Sequence, residues 1–407
     1  MVTSGSLIRH AQPHRKAYAR ILESRLTERG VGLAAASSSS KGAAKIGVID
    51  GHNDLAWASR EKRGYRVDGL DGHLDGFHTD IPRLRAGGVT AQFWSLWVDP
   101  VLQGAEQVTA TLEQIDFVHR LVAAYPRDFV FARTAHDVRE ATASGRIGCL
   151  MGAEGGDQID GSLATLRSYA RMGVRYMTLT WSQTTPWADS ATDIPRHGGL
   201  SGFGQQVVAE MNRIGMVVDL AHVAPTTMRD ALDCSALPVM VSHSCASALS
   251  NHPRNVPDDV ISRIGSDGGV VMVAFVRGFV SQDARDWYGD GKRGPAPAVT
   301  ASQVADHMDH IREVAGIEAV GIGADFDGTD TVPDDLPDVS HYQELLDELS
   351  RRGWSYADLE AAAHGNVLRV LEANDDAHRA FLAGDAPEPP RTALVPRVDA
   401  NDRPESH

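Results

Sequence analysis

The sequence predicts an α/β protein of the (β/α)8 TIM-type barrel class, on three observations. Eight short apolar runs recur along the chain, helix-like stretches lie between several of them, and polar residues of one chemical kind stand where the runs end. No GxGxxG fingerprint follows any run, which favours a closed barrel over a doubly wound sheet.

Taken in order, the runs are "IGVID" (46–50), "AQFWSLWV" (91–98), "IGCLMGAE" (147–154), "YMTLTW" (176–181), "MVVDLAHV" (216–223), "VMVSHS" (239–244), "GVVMVAFV" (269–276) and "AVGIGADF" (319–326). Most are apolar throughout rather than alternating, as parallel strands covered on both faces require. Helical periodicity falls at 105–124, 162–172, 203–214, 226–233 and 301–316. These elements place the barrel domain at 46–384. Residues 1–45 form an N-terminal extension. In it "RKAYARILESRLTE" spaces Ala19, Ile21, Leu22 and Leu26 as one amphipathic helix, and 31–45 is small and polar like a flexible linker. The tail 385–407 is Pro-rich and polar, hence extended or disordered.

Bulk properties exclude some functions. Apolar residues at 42% and charged residues at 23% are ordinary for a soluble globular chain. A net charge of -15 without a basic stripe argues against a nucleic-acid partner. No run approaches the roughly 20 apolar residues of a membrane span, and neither a secretory signal nor a lipid-anchor signal is recognisable. Cys149, Cys234 and Cys245 offer no even framework and no CxxC pair. They read as free thiols of a cytoplasmic protein.

The polar residues carry the chemistry. His52 and Asp54 follow the first run, two apart on an extended chain and so on one side of it. Glu154 ends the third run, His222 and His243 the fifth and sixth, and Asp325 the last. A strand end turning on Gly51 and Asn53 is unremarkable, and a lone buried histidine is usually a hydrogen-bonded core residue. Five ligand-type residues at corresponding strand ends are different, because barrel strands deliver their C-termini to one mouth. Imidazole and carboxylate suit zinc without cysteine. Three histidines and two carboxylates exceed the needs of one tetrahedral ion that keeps a water. They suit two ions about 3.5–4 Å apart, with Glu154 as bridge, a hydroxide between the metals as nucleophile and Asp325 to move its proton.

At these residues the chain resembles a known family. "DGHNDLAW", "IPRLRAGGVTAQFWSLWV", "GAEGG", "YMTLTW…TPWAD", "DLAHV", "VSHSCA", "RNVPDD", "VADHMDHIREVAGIEAVGIGADFDG" and "GNVLRVL" occur in the order of the membrane (renal) dipeptidase family, from about residue 46 to 371. The resemblance implies a metallo-dependent hydrolase with two zinc ions that cleaves dipeptides, tolerates C-terminal D-residues, and forms a homodimer. It implies His52 and Asp54 on one zinc, Glu154 bridging, His222 and His243 on the other, and Asp325 as acid/base. It makes Arg254 the grip on the substrate's carboxylate, a task suited to a guanidinium fork. Asp327 is then turn or supporting chemistry, and His307 and His310 a partly exposed structural pair.

Two positions depart from the pattern. Trp181 stands where the best-known members carry a histidine that contacts the reacting carbonyl oxygen. An indole donates one hydrogen bond and cannot act as an acid near neutral pH. Either Trp181 donates in the histidine's place, another group does, or the preferred substrate differs; the plain alternative is that Trp181 merely fills pocket volume. Val276 likewise replaces an aromatic residue near the substrate. The principal expectation is a zinc dipeptidase. The alternatives are a specialised amidohydrolase, acting on a Cys-Gly conjugate or other dipeptide-like intermediate, and an inactive metal-retaining scaffold supported by Trp181 alone.

Overall fold

A computed structural model of the protein describes residues 45–386. The N-terminal helix, the linker apart from Lys45, and the tail apart from Asp385 and Ala386 lie outside the described residues.

Among the described residues there are nine parallel strands: β1 (Val48–Asn53), β2 (Val89–Trp97), β3 (Phe129–Phe131), β4 (Ile147–Glu154), β5 (Val174–Thr178), β6 (Val217–Asp219), β7 (Met240–Ser244), β8 (Val270–Val273) and β9 (Val320–Ile322). Eight of them close a barrel. The order runs β2-β1-β9-β8-β7-β6-β5-β4, and β2 closes on β4 through seven residue pairs from Ala91↔Gly148 to Trp97↔Glu154. β3 is the ninth. It pairs only with Ile147–Cys149, the first half of β4, and stands outside the ring.

The helices fall where periodicity put them: Ala105–Ala124, Leu163–Met172, Gly202–Ile214, Pro225–Cys234 and Ala301–Ala315. Their ends follow local chemistry. Ser162 and Ser201 accept the backbone N–H three residues on, and Gly173 and Gly215 end the same two helices in the left-handed region. No helix among the described residues is long and apolar enough to cross a membrane.

Apolar residues form two layers. Ile49, Ala91, Phe93, Leu150, Tyr176 and Met272 cluster separately from the larger sheet-to-helix core, and strand alternation assigns them to the barrel interior. Val367, Val370 and Leu371 of the helix Asn366–Ala383 join the interior cluster.

Strands β3, β6 and β9 depart furthest from expectation. β3 falls in a stretch with no predicted strand, while β6 and β9 stop well short of the predicted ends at 223 and 326. The shortening has a local cause. His222 and Asp325, three residues past their strands, take φ of 65° and 67°, so the chain has turned before reaching them. Both residue types are among those that tolerate this region.

Candidate metal centre and substrate cavity

The turns at the strand ends bring the predicted residues together. His52 lies in β1 and Asp54 opens the helix Leu55–Arg63. Asp54 donates its backbone N–H to the Phe326 carbonyl (2.9 Å), and Asp325 donates to the His52 carbonyl (3.2 Å), so the first and last segments of the barrel are stitched at the mouth. Glu154 closes β4, His243 lies in β7, and His222 follows β6.

Glu154 stands at the centre of the group. Its Oε2 is 3.2 Å from His52 Nε2, which is also 3.3 Å from Asp54 Oδ2. Its Oε1 is 2.9 Å from His222 Nε2 and 3.5 Å from His243 Nε2. Each carboxylate oxygen thus faces a different set of donors. Ligand atoms of His52, Asp54 and Glu154 lie within 4.8 Å of one another, as do those of Glu154, His222 and His243, and those of His52, His243 and Asp325. All except Asp325 are buried.

Surrounding hydrogen bonds orient two of the imidazoles. Ser242 Oγ donates to Asp219 Oδ2 (2.6 Å), which leaves its lone pair to accept from His243 Nδ1 (2.9 Å). Tyr176 Oη donates to the Gly51 carbonyl (3.2 Å) and accepts from His52 Nδ1 (2.9 Å). Both rings therefore turn an Nε2 lone pair toward the carboxylates. Tyr176 reaches across the barrel because position 152 is glycine; a Cβ there would lie 1.9 Å from the ring.

Acceptors facing acceptors at these distances repel unless a cation lies between them. Nε2 of His52 and Oδ1 of Asp54 are buried without hydrogen-bond partners among the described residues, and His222 and His243 bring their Nε2 atoms to 3.0 Å. Electrostatics point the same way. Burial disfavours charge at His52, yet Tyr176, Glu154 and Asp54 together favour a positive charge at its position, the charge that an ion on Nε2 would supply. Burial also opposes charge on Glu154, but His52 and His222 keep its carboxyl well below the usual range. Burial and Arg254 push His222 down to about 3, the neutral form a ligand needs. The nitrogen and oxygen donor set fits zinc.

Asp325 behaves differently. Loss of solvent, then Asp54 and Glu154, raise its carboxyl well above the ordinary carboxylate range. A carboxyl of raised proton affinity beside the ligand set suits acid/base work. Gly328 lies against both carboxylates, where a Cβ would come 2.2 Å from Asp54 Oδ2 and 2.5 Å from Asp325 Oδ1. Asp327 belongs to none of the ligand groups; it accepts from the backbone of His78 (2.8 Å) and orders the turn.

A cavity of about 720 Å³ opens onto these residues. Trp57, Trp97 and Trp181 line it as one aromatic row, with ring centroids 4.6 and 4.8 Å apart. Trp181 also approaches His222 (6.0 Å), and its Nε1 bonds nothing among the described residues. Arg254 and Val276 line the cavity too. Arg254 is 3% exposed and makes no ion pair among the described residues. Its Nη2 donates to the His243 carbonyl (3.4 Å), while Nε and Nη1 lack partners. Burial pushes this guanidinium down to about 10. A buried cation with free donors calls for an anion.

Sequence reasoning missed Tyr176, Ser242 and Asp219, which orient ligands, and His252 and Phe279, which line the cavity. Such partners have no fixed spacing from the residues they serve. Trp57 was visible in "DGHNDLAW" as an aromatic one helical turn beyond Asp54. His307 differs from expectation. It is fully buried, accepting from the Ala246 N–H (3.1 Å) and donating to the Val280 carbonyl (2.9 Å), while the part-buried His310 pairs with Asp258.

Comparison with known proteins gives a consistent result. A family model described as membrane dipeptidase (peptidase family M19) matches residues 40–383. Dipeptidase 3 of Rattus norvegicus is 41% identical over 330 residues, 80% of this chain but only 64% of that protein's length. Dipeptidase aclJ of Aspergillus oryzae is 41% identical over 340 residues, covering 80% of this chain and 78% of that one. A metallo peptidase from Rhodobacter sphaeroides, solved with a phosphinate mimic of the dipeptide L-Ala-D-Ala, superposes with a TM-score of 0.73 at 25% identity. It covers 81% of this chain and all of its own.

Proposed function

The chain belongs to the membrane dipeptidase family, and on that premise we propose that it is a zinc-dependent dipeptidase whose substrates include dipeptides with a C-terminal D-residue. One observation carries the reading: two donor sets share Glu154 in a cavity that also holds a buried, unpaired Arg254. His52 and Asp54 would hold one zinc, His222 and His243 the other, with Glu154 common to both. When bound, the two ions would supply Lewis acidity to the scissile carbonyl and make a water more acidic.

The remaining work falls to the protein's own groups. Arg254 binds the free carboxylate of the dipeptide through its unpaired Nε and Nη1, fixing the substrate's C-terminal end. Asp325, its proton affinity raised, takes up the proton of the attacking water and delivers it to the leaving amine as the C–N bond breaks. Tyr176 and the Ser242–Asp219 pair keep His52 and His243 in the tautomers that present Nε2. The relative bound to an L-Ala-D-Ala mimic supports the D-residue part of the proposal. Three free cysteines fit a reducing, cytoplasmic setting. The test is a panel of L-L and L-D dipeptides assayed before chelation, after chelation and after zinc return. Absence of turnover on every member by zinc-loaded protein would sink the reading.

A specialised amidohydrolase is the second reading, and the aromatic row favours it. Trp181 packs edge-to-face on Trp97, so it builds wall whether or not its free Nε1 also donates to the substrate. The cavity falls toward the upper part of the usual range for ligand pockets, ~300–1,000 Å³, and so admits more than a small dipeptide. Comparing kcat/KM for a small dipeptide and for a Cys-Gly S-conjugate with a bulky apolar group separates the two. Equal values would remove the specialised reading.

A further inference from the structure

We infer that His252 is a second substrate-binding residue, its Nε2–H donating to the same substrate carboxylate as Arg254. This rests on the dipeptidase reading and deepens it.

The backbone decides which nitrogen carries the proton. Arg254 donates its backbone N–H to His252 Nδ1 (3.1 Å). Nδ1 is therefore an acceptor, and a neutral imidazole with an accepting Nδ1 carries its hydrogen on Nε2. Burial, with Arg254 and Arg285 nearby, pushes His252 down to about 4, so the ring is neutral at ordinary pH. Nε2 has no partner among the described residues, and the ring lines the cavity.

Packing holds the ring in register with Arg254. The His252 ring lies 4.5 Å from the Phe279 ring, and the Arg254 guanidinium lies 5.2 Å from the same ring. One aromatic side chain thus supports both donors. The intervening backbone is pinned as well. Asn255 Nδ2 donates to the Ser250 and Phe279 carbonyls (both 2.8 Å), and Ser244 Oγ donates to the Arg254 carbonyl (2.6 Å). A carboxylate offers about four acceptor positions, more than the Nε and Nη1 of Arg254 fill. The free Nε2–H of His252 supplies a further donor on the same wall.

The experiment compares zinc-loaded wild type with His252→Phe, which keeps a ring against Phe279 but has no donor, and His252→Gln, which restores an N–H. A lost hydrogen bond to a charged group predicts a KM about tenfold higher for His252→Phe on any dipeptide the enzyme turns over, with kcat nearly unchanged. His252→Gln should recover most of the difference. The same tenfold loss is expected in calorimetric binding of a phosphinate dipeptide mimic, which needs no turnover. Equal KM and equal mimic affinity for wild type and His252→Phe would overturn the inference, as would a fall in kcat alone. Arg254→Met separates the two failures: if it weakens mimic binding while His252→Phe does not, the carboxylate reading stands and His252 has no part in it.

Discussion

Replacing Gly328 with alanine places a methyl group between the carboxylates of Asp54 and Asp325. The added carbon would sit 2.2 Å from Asp54 Oδ2, 3.0 Å from Asp54 Cγ and 2.5 Å from Asp325 Oδ1. Ordinary carbon–oxygen contact begins near 3.4 Å, so both oxygens must retreat by about 1 Å. Neither has slack. Asp54 is 4% exposed and tied by its backbone to Phe326, and Asp325 is tied to His52. A displacement of about 1 Å at reacting groups costs on the order of a hundredfold in rate, and a ligand moved that far also loses metal. Gly328→Ala should therefore lower kcat/KM by about 100-fold or more and reduce the zinc-to-protein ratio measured by elemental analysis. Its circular dichroism should stay that of the wild type, because the strain is confined to two side chains at the mouth. A variant with normal zinc content and a kcat/KM near wild type would refute the geometry.

Other substitutions probe separate parts of the site and fold. Asp325→Asn should abolish turnover while leaving zinc content nearly unchanged; retained activity would remove the acid/base assignment. Tyr176→Phe takes the acceptor from His52 Nδ1 and should weaken zinc affinity by about 10- to 100-fold, read by competition with a chelator; unchanged affinity would show that Tyr176 does not orient the ligand. Trp181→His should raise turnover of small dipeptides relative to bulky conjugates, and an unchanged ratio in a substrate panel would show that this ring does not select. Asp375→Ala strands the fully buried Arg175, whose Nη2 lies 3.2 Å from Asp375 Oδ1. Breaking a buried pair this way costs about 3–5 kcal/mol. Thermal melting should show the loss, while kcat of the folded fraction stays near wild type.

Much of this architecture was legible in the chain because parallel barrel strands are covered on both faces. That burial makes them near-continuous apolar runs, and their ends are where isolated His, Asp and Glu become conspicuous. His52, Asp54, Glu154, His222, His243 and Asp325 could be gathered from five places for that reason. β3 was not legible: "FVF" is three residues long, pairs with half of one strand and leaves no periodic signal. β6 and β9 read too long because small and apolar residues continue past the last ladder residue, through Leu220–Ala221 and Gly323–Ala324, up to the left-handed His222 and Asp325. Hydrogen-bonding partners were the least legible class. Nothing in the spacing of Tyr176 from His52, 124 residues away, announces their contact. The tautomer of His252 depends on a backbone N–H that no side-chain pattern reports.

The position of β3 has a practical consequence. It flanks the start of β4, so the segment 125–146 lies toward the rim opposite the strand ends that form the mouth, and none of its side chains lines the cavity. Within it, Gly145 is exposed, with open space where a Cβ would point. Gly145 itself takes a φ of 72° and should stay glycine, but a tether on the neighbouring exposed Ser144 (φ -85°) would fix the protein to a support by its base. Immobilised copies would all present the cavity to the solution, with diffusion of substrate unobstructed by the surface that holds them.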